Sequence, residues 1–344
     1  MSKSLPNLPS LATLLSGQNI VFGGIIWSVV TFWFFALFSI PIPGEENPLW
    51  YLLGTYALET LPFILATWLC YRNWKSPQIA SGRDVWLFIG LGLGSYSIGN
   101  FLFGMWELYF NLDPEISPAD LFYISFTICV GFGMILAVLP RRLNLEPKQW
   151  LIVGGVAVLG TLLAVWLKLA TINKEEAIVE VPPTPSTEAV QPAPAVDPNA
   201  PADPNAPAAV TAPAISEAEA ESEDLPPGWV MALDELLVVF ATPVNLFYSI
   251  SDVALMVIAA TLLMAFWGGR FSQSWRMIGA AALAKYVADL AFYVALSLPG
   301  NYESGGLMDV FYVFSGVLYS IGAALEYDVS TSRSGRGRRR RGGG

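Results

Sequence analysis

The stretch WLFIGLGLGSYSIGNFLF at Trp86–Phe103 recurs, with substitutions, as WRMIGAAALAKYVADLAF at Trp275–Phe292. Trp86 aligns with Trp275, Gly90 with Gly279, Asn100 with Asp289 and Phe103 with Phe292, at an offset of 189 residues. The same offset carries Asp120 to Asp309, Phe122-Tyr123 to Phe311-Tyr312 and Gly133 to Gly322, without a gap. Each copy is apolar enough to sit in a bilayer. Two copies of a helical unit in one chain usually build one pseudo-symmetric bundle, with any site at their interface.

Composition agrees with a multi-pass membrane protein: of 344 residues, 54% are hydrophobic, 13% are charged and 12 are Trp. Eight stretches are long enough to cross about 30 Å of hydrocarbon. They lie at 20–40, 49–71, 85–108, 119–140, 149–171, 247–267, 274–297 and 307–326. Basic residues gather in alternate connections: Arg72, Lys75 and Arg83; Arg141, Arg142 and Lys148; Arg270 and Arg276; and the Arg-rich tail. The others carry Glu45 and Glu46, Asp113 and Glu115, the segment Glu175–Asp224, and Glu303. The positive-inside rule then puts both termini in the cytoplasm of a bacterial inner membrane or a thylakoid. The expected fold is all-α and integral to the membrane: eight transmembrane helices as two parallel four-helix repeats. The first apolar run has no small-residue cleavage site after it and reads as a retained span.

Residues 1–171 form the first repeat in this reading, and 229–328 hold the second. An interfacial helix at 229–242, ended by Pro243, opens the second; three spans follow, with 149–171 as the fourth. Between them, 172–228 repeats Asp197-Pro198-Asn199-Ala200-Pro201-Ala202 as Asp203–Ala208 and then turns acidic, which predicts a disordered extracytoplasmic linker. Residues 329–344 predict a disordered cytoplasmic tail, with Arg338, Arg339, Arg340 and Arg341 on anionic lipid head groups at about 1 kcal/mol each.

No histidine is present, which removes His-based triads and the commonest metal and haem ligand. Cys70 and Cys129 fall in apolar spans as small hydrophobes. No metal or cofactor is expected, and without a nucleophile beside a base no enzymatic activity either. The candidates are charges inside spans, each of which costs about 2.5–3.5 kcal/mol at mid-membrane. They are Glu59, Glu107, Asp120, Asp252, Asp289, Asp309 and the one cation, Lys285. Lys285 and Asp289 are four residues apart on one helix face, and Asp252 precedes them on the antiparallel neighbour. This predicts an internal ion pair, a proton relay or a ligand site. Asp120 and Asp309, near outer span ends, suit the first turn of their helices or a paired outer site. The small-residue helices, with Gly90, Gly94 and the alanines around Leu283, are expected to line the seam between halves.

Ser117-Pro118-Ala119-Asp120-Leu121-Phe122-Tyr123, Leu139-Pro140-Arg141-Arg142, Tyr248–Asp252, Val287-Ala288-Asp289-Leu290 and Gly305-Gly306-Leu307-Met308-Asp309 carry a resemblance. They resemble a bacterial multi-pass membrane sensory module, a kind often fused to diguanylate cyclase, phosphodiesterase or histidine kinase domains. About 18 residues follow the last span, so no output domain is expected here. The resemblance implies a non-enzymatic sensory or scaffold bundle with a protein partner in the membrane or at the cytoplasmic face; nucleic acid is not an expected partner. A proton- or ion-coupled transporter using Lys285 and Asp289 is the second reading. A retinal protein with Lys285 as the Schiff base is the third.

Overall fold

The computed structural model describes residues 15–40, 47–112, 116–139, 145–179, 226–266, 272–297 and 304–341. Every regular element among them is helical: α1 (Gly17–Phe38), α2 (Leu49–Lys75), α3 (Arg83–Leu108), α4 (Ala119–Val138), α5 (Pro147–Val179), α6 (Gly228–Val238), α7 (Ala241–Ala265), α8 (Ser272–Ser297) and α9 (Val310–Arg341). All except α6 are long and apolar enough to cross a bilayer. The chain is an all-α membrane-embedded protein.

Six helices close a ring in the order α2, α3, α4, α7, α8, α9 and back to α2. α1 packs outside the ring against α9, and α5 packs outside against α7 and α8. The outward faces of α1 and α5 (Ile26, Leu37, Leu151, Leu159) are broadly exposed, as acyl-chain contact requires.

Contacts inside the ring recur at the 189-residue offset. A Cβ on Gly133 would stand 2.7 Å from Ile89 Cγ1 and 3.1 Å from the Val85 carbonyl; one on Gly322 would stand 2.9 Å from Ile278 Cγ1 and 3.1 Å from the Ser274 carbonyl. These are the same residues one offset apart. Both glycines bring a last helix against its neighbour at backbone distance, where dispersion is strongest. Equivalent residues also meet each other. Trp86 and Trp275 lie with ring centroids 5.8 Å apart, and the Lys285 ammonium is 5.6 Å from the Tyr96 ring centre. These meetings are ten residues apart, about 15 Å along each helix. The line joining them therefore runs with the helices, and α3 and α8 point the same way.

Four expectations are revised. Pro243 does not end the interfacial helix. The break falls at Val239–Phe240, and Pro243 sits in the first turn of α7, where a missing N–H breaks no helical bond. The sixth span thus starts at Ala241, and α6 packs Val230 against Trp106 and Phe110 at the end of α3. α5 continues as helix to Val179, beyond the expected span end; the rest of the linker, 180–225, lies outside the described residues. The tail expected to be disordered is helical, because α9 runs unbroken to Arg341. The side chains of Arg338–Arg341, and so their lipid contacts, lie outside the described residues, as do Glu45, Glu46, Asp113, Glu115, Arg141, Arg142, Arg270 and Glu303. Finally, Gly90 and Gly94 face α2 and not the seam: their nearest neighbours are Cys70 and Thr67. Bulky residues, Trp86 and Tyr96, take the seam side of α3.

Candidate functional site

Lys285 lies about 20 Å along α8, near its middle. Its ammonium pairs with the Asp289 carboxylate one turn on, and both side chains are nearly enclosed, at 15% and 14% exposure. Tyr312 of α9 donates to Asp289 Oδ1 at 3.1 Å. The ammonium also lies over three rings: Tyr312 at 5.2 Å, Tyr96 of α3 at 5.6 Å and Phe126 of α4 at 5.7 Å. Cation–π attraction operates within about 6 Å and strengthens when water is excluded. The cation is thus held jointly by both halves of the ring. Asp252 of α7 is close enough to feel the charges of Asp289 and Lys285, yet it makes no hydrogen bond or ion pair among the described residues.

The first half shows what this cluster is built from. At the equivalent positions stand Tyr96 for Lys285, Asn100 for Asp289, Tyr123 for Tyr312 and Phe63 for Asp252. Tyr123 donates to Asn100 Oδ1 at 2.9 Å, the same bond one offset away. Phe63 stacks on Tyr96 with centroids 4.1 Å apart. One half therefore carries a neutral aromatic–amide cluster, and the other carries its ionised counterpart. Losing a hydrogen bond to a charged group costs about 1.5–3 kcal/mol, against about 0.5–1.5 for a neutral one. Tyr312→Phe is accordingly expected to lower the unfolding midpoint in mild detergent more than Tyr123→Phe does; equal shifts would mean that Asp289 is not ionised there.

The two paired outer carboxylates serve their helix starts. Asp120 Oδ2 accepts from the Ser117 N–H at 2.8 Å, while the Ser117 hydroxyl accepts from the Ala119 N–H at 3.2 Å, so the two side chains hold the turn that enters α4. Asp309 Oδ2 accepts from the Gly305 N–H at 2.9 Å. Asp120 does more: Tyr248 of α7 donates to its Oδ1 at 2.7 Å, tying α4 to α7 across the halves. Tyr248→Phe is expected to cost about 1.5–3 kcal/mol by removing that donor, measured by the same unfolding assay.

Glu107, another of the charges inside spans, is tied to its neighbours and not left free. It accepts from the Tyr56 hydroxyl, and from the Ser304 hydroxyl at 2.9 Å. Tyr51 donates to the neighbouring Gly305 carbonyl. Glu59, 8% exposed in α2, lies in the electrostatic field of Asp309, Glu107 and Lys285. Its equivalent in the second half is Tyr248, so Glu59 faces Asp309 where Tyr248 faces Asp120. Sequence reasoning passed over Glu326, which is fully buried and accepts from the Ser81 hydroxyl at 2.7 Å. That hydroxyl in turn accepts from the Trp86 indole N–H at 2.8 Å. An expected span end at 326 gave no reason to look there; the continuation of α9 is what encloses it.

The sequence candidates therefore divide. Lys285, Asp289 and Asp252 share one enclosed cluster. Asp120 and Asp309 sit at two separate helix starts. The comparisons add no identity: no protein-family model, curated protein or solved structure matches this chain.

Proposed function

We propose that this chain is a non-enzymatic membrane bundle of the sensory or scaffold kind, built from a duplicated block. A charge-bearing seam at Lys285, Asp289 and Asp252 biases the packing of its halves. The observation that supports it is the seating of Lys285. It touches Tyr96 and Phe126 from one half and Asp289 and Tyr312 from the other. A change in charge at the cluster, by protonation or by a ligand, therefore alters a contact between halves. Population shift between two packings follows if the two differ in affinity for that proton or ligand. Tyr312 lies in the first turn of α9, and α9 continues as one helix to Arg341. A rotation or shift at the seam has a rigid element to travel along, ending in an Arg-rich stretch suited to a partner or to the cytoplasmic leaflet of an inner or thylakoid membrane.

The test is purification from native membrane in mild detergent. A protein partner is expected to co-purify, and to be lost when Arg338–Arg341 are replaced by Ser while the unfolding midpoint stays put. Recovery of this chain alone, from both versions, refutes the reading. Ion-coupled transport is the second reading, favoured by the span carboxylates Asp252 and Glu59, which both lie within the electrostatic field of Lys285. Proton-driven flux in sealed vesicles, abolished by Asp289→Asn, would support transport in place of signalling.

A further inference from the structure

We propose that the open groove at the C-terminal end of α2 is a binding site for the phosphate head group of an anionic phospholipid. The inference depends only on the protein being embedded in a membrane. The groove has a volume of about 460 Å³ and is walled by Trp68, Tyr71, Arg72, Lys75, Gln78 and Tyr327. Arg72 lies over the Tyr327 ring, its guanidinium carbon 4.0 Å from the ring centre. Its Nη1 donates to the Leu15 carbonyl at 2.9 Å. Its Nε and Nη2 are shielded from solvent and have no acceptor among the described residues, so pairing them with a ligand requires the side chain to turn toward the groove. Guanidinium donors form a fixed fork that matches two oxygens of one phosphate, and leaving them enclosed and unpaired is unfavourable. The cation–π contact with Tyr327 holds the guanidinium beside the groove before any ligand arrives.

The remaining charges favour an anion. Lys75 is exposed at the rim, its ammonium 4.3 Å from the Trp74 ring centre and 5.6 Å from that of Tyr71. Asp328 is the carboxylate that acts on Arg72; it accepts from the Gly17 N–H and forms no ion pair with Arg72. Two cations therefore face one carboxylate that is already occupied.

The bilayer is the source that the geometry favours. Leu61, Ile64, Trp68 and Tyr71 are exposed on α2, at 49%, 50%, 56% and 49%. Their spacing of three, four and three residues puts them on one stripe, and that stripe leads into the groove at Arg72 and Lys75. Acyl chains fit along the apolar stripe while Trp68 and Tyr71 sit at head-group depth. A soluble phosphate would use none of this lane.

The experiment is native mass spectrometry of the full chain released from micelles containing phosphatidylglycerol, phosphatidylcholine or both. One phosphatidylglycerol is expected to survive activation that strips phosphatidylcholine. Arg72→Gln is expected to lower its occupancy about tenfold and Lys75→Gln about threefold, as loss of a charge-assisted fork and of a rim charge imply. Lys75 is exposed, so its variant decides the matter if Arg72→Gln does not fold. Equal retention of the two lipids, or retention unchanged in Lys75→Gln, overturns the proposal. So does displacement of the lipid by millimolar inorganic phosphate, which would assign the groove to a soluble ligand.

Discussion

Lys285→Met is expected to destabilise the bundle by about 3–5 kcal/mol, the usual result of removing one partner of a buried ion pair. Methionine fills similar space, so little of the loss comes from packing. What remains is the Asp289 carboxylate, enclosed and held by the Tyr312 hydroxyl alone, with Asp252 nearby and no cation between them. The three rings around the ammonium also lose their cation–π contact. Asp289→Asn should cost less, because Lys285 keeps Asp252 within its field. The first half of the chain supplies the rescue. Asp252→Phe, Lys285→Tyr and Asp289→Asn together rebuild the neutral cluster formed by Phe63, Tyr96 and Asn100. That triple variant is expected to regain wild-type stability or exceed it, since a packed neutral cluster avoids the desolvation of the Lys285–Asp289 ion pair. Urea or thermal unfolding in mild detergent, followed by tryptophan fluorescence, measures all three. An unchanged midpoint for Lys285→Met would place the ammonium in water or lipid head groups and remove the seam site. Stability regained by the triple variant together with loss of partner binding would mean that the charges are kept for function.

Gly133→Leu and Gly322→Leu are expected to be equally damaging and to prevent the ring from closing in its native form. At each position even a Cβ meets a neighbouring side chain under 3.0 Å and a backbone carbonyl at 3.1 Å. The side chain can turn away, but the helix backbone cannot without separating α3 from α4 or α8 from α9. Overpacking of this kind typically costs about 1–3 kcal/mol for small insertions. Gly→Ala at either site should fall in that range, and Leu beyond it. Gly154 and Gly155 of α5 have nothing within 4 Å of a Cβ, so alanine there should be neutral or gain up to about 1 kcal/mol of helix propensity. The same unfolding assay separates the two classes. Alanine tolerated at Gly133 but not at Gly322 would show that the two halves pack by different rules.

Much was legible in the chain itself. Hydropathy and length located eight spans, and the Trp86/Trp275 alignment related the helices later found at equivalent ring positions. Charge scarcity picked out Lys285, Asp289 and Asp252, because an ionised group in a span is expensive wherever it lies. Proline marked an irregularity near 243 but misplaced it, since Pro is compatible with a first turn as well as with a break. The covering of Glu326 depends on how far α9 extends, and no residue near 326 announces that.

What the sequence determined is the set of elements and their offset: which segments enter the bilayer and which residue corresponds to which. Those follow from transfer of each segment from water to hydrocarbon, a property of local composition. The tertiary structure decided how each helix is rotated about its axis. Lipid and protein interior are equally apolar, so periodicity barely distinguishes the face that meets a neighbour from the face that meets acyl chains. Close packing and the pairing of polar groups make that choice. They turn Gly90 and Gly94 toward Cys70 and Thr67, bring Tyr96 to its own counterpart Lys285, and leave two donors of Arg72 buried and unpaired among the described residues, beside the groove that Arg72 lines.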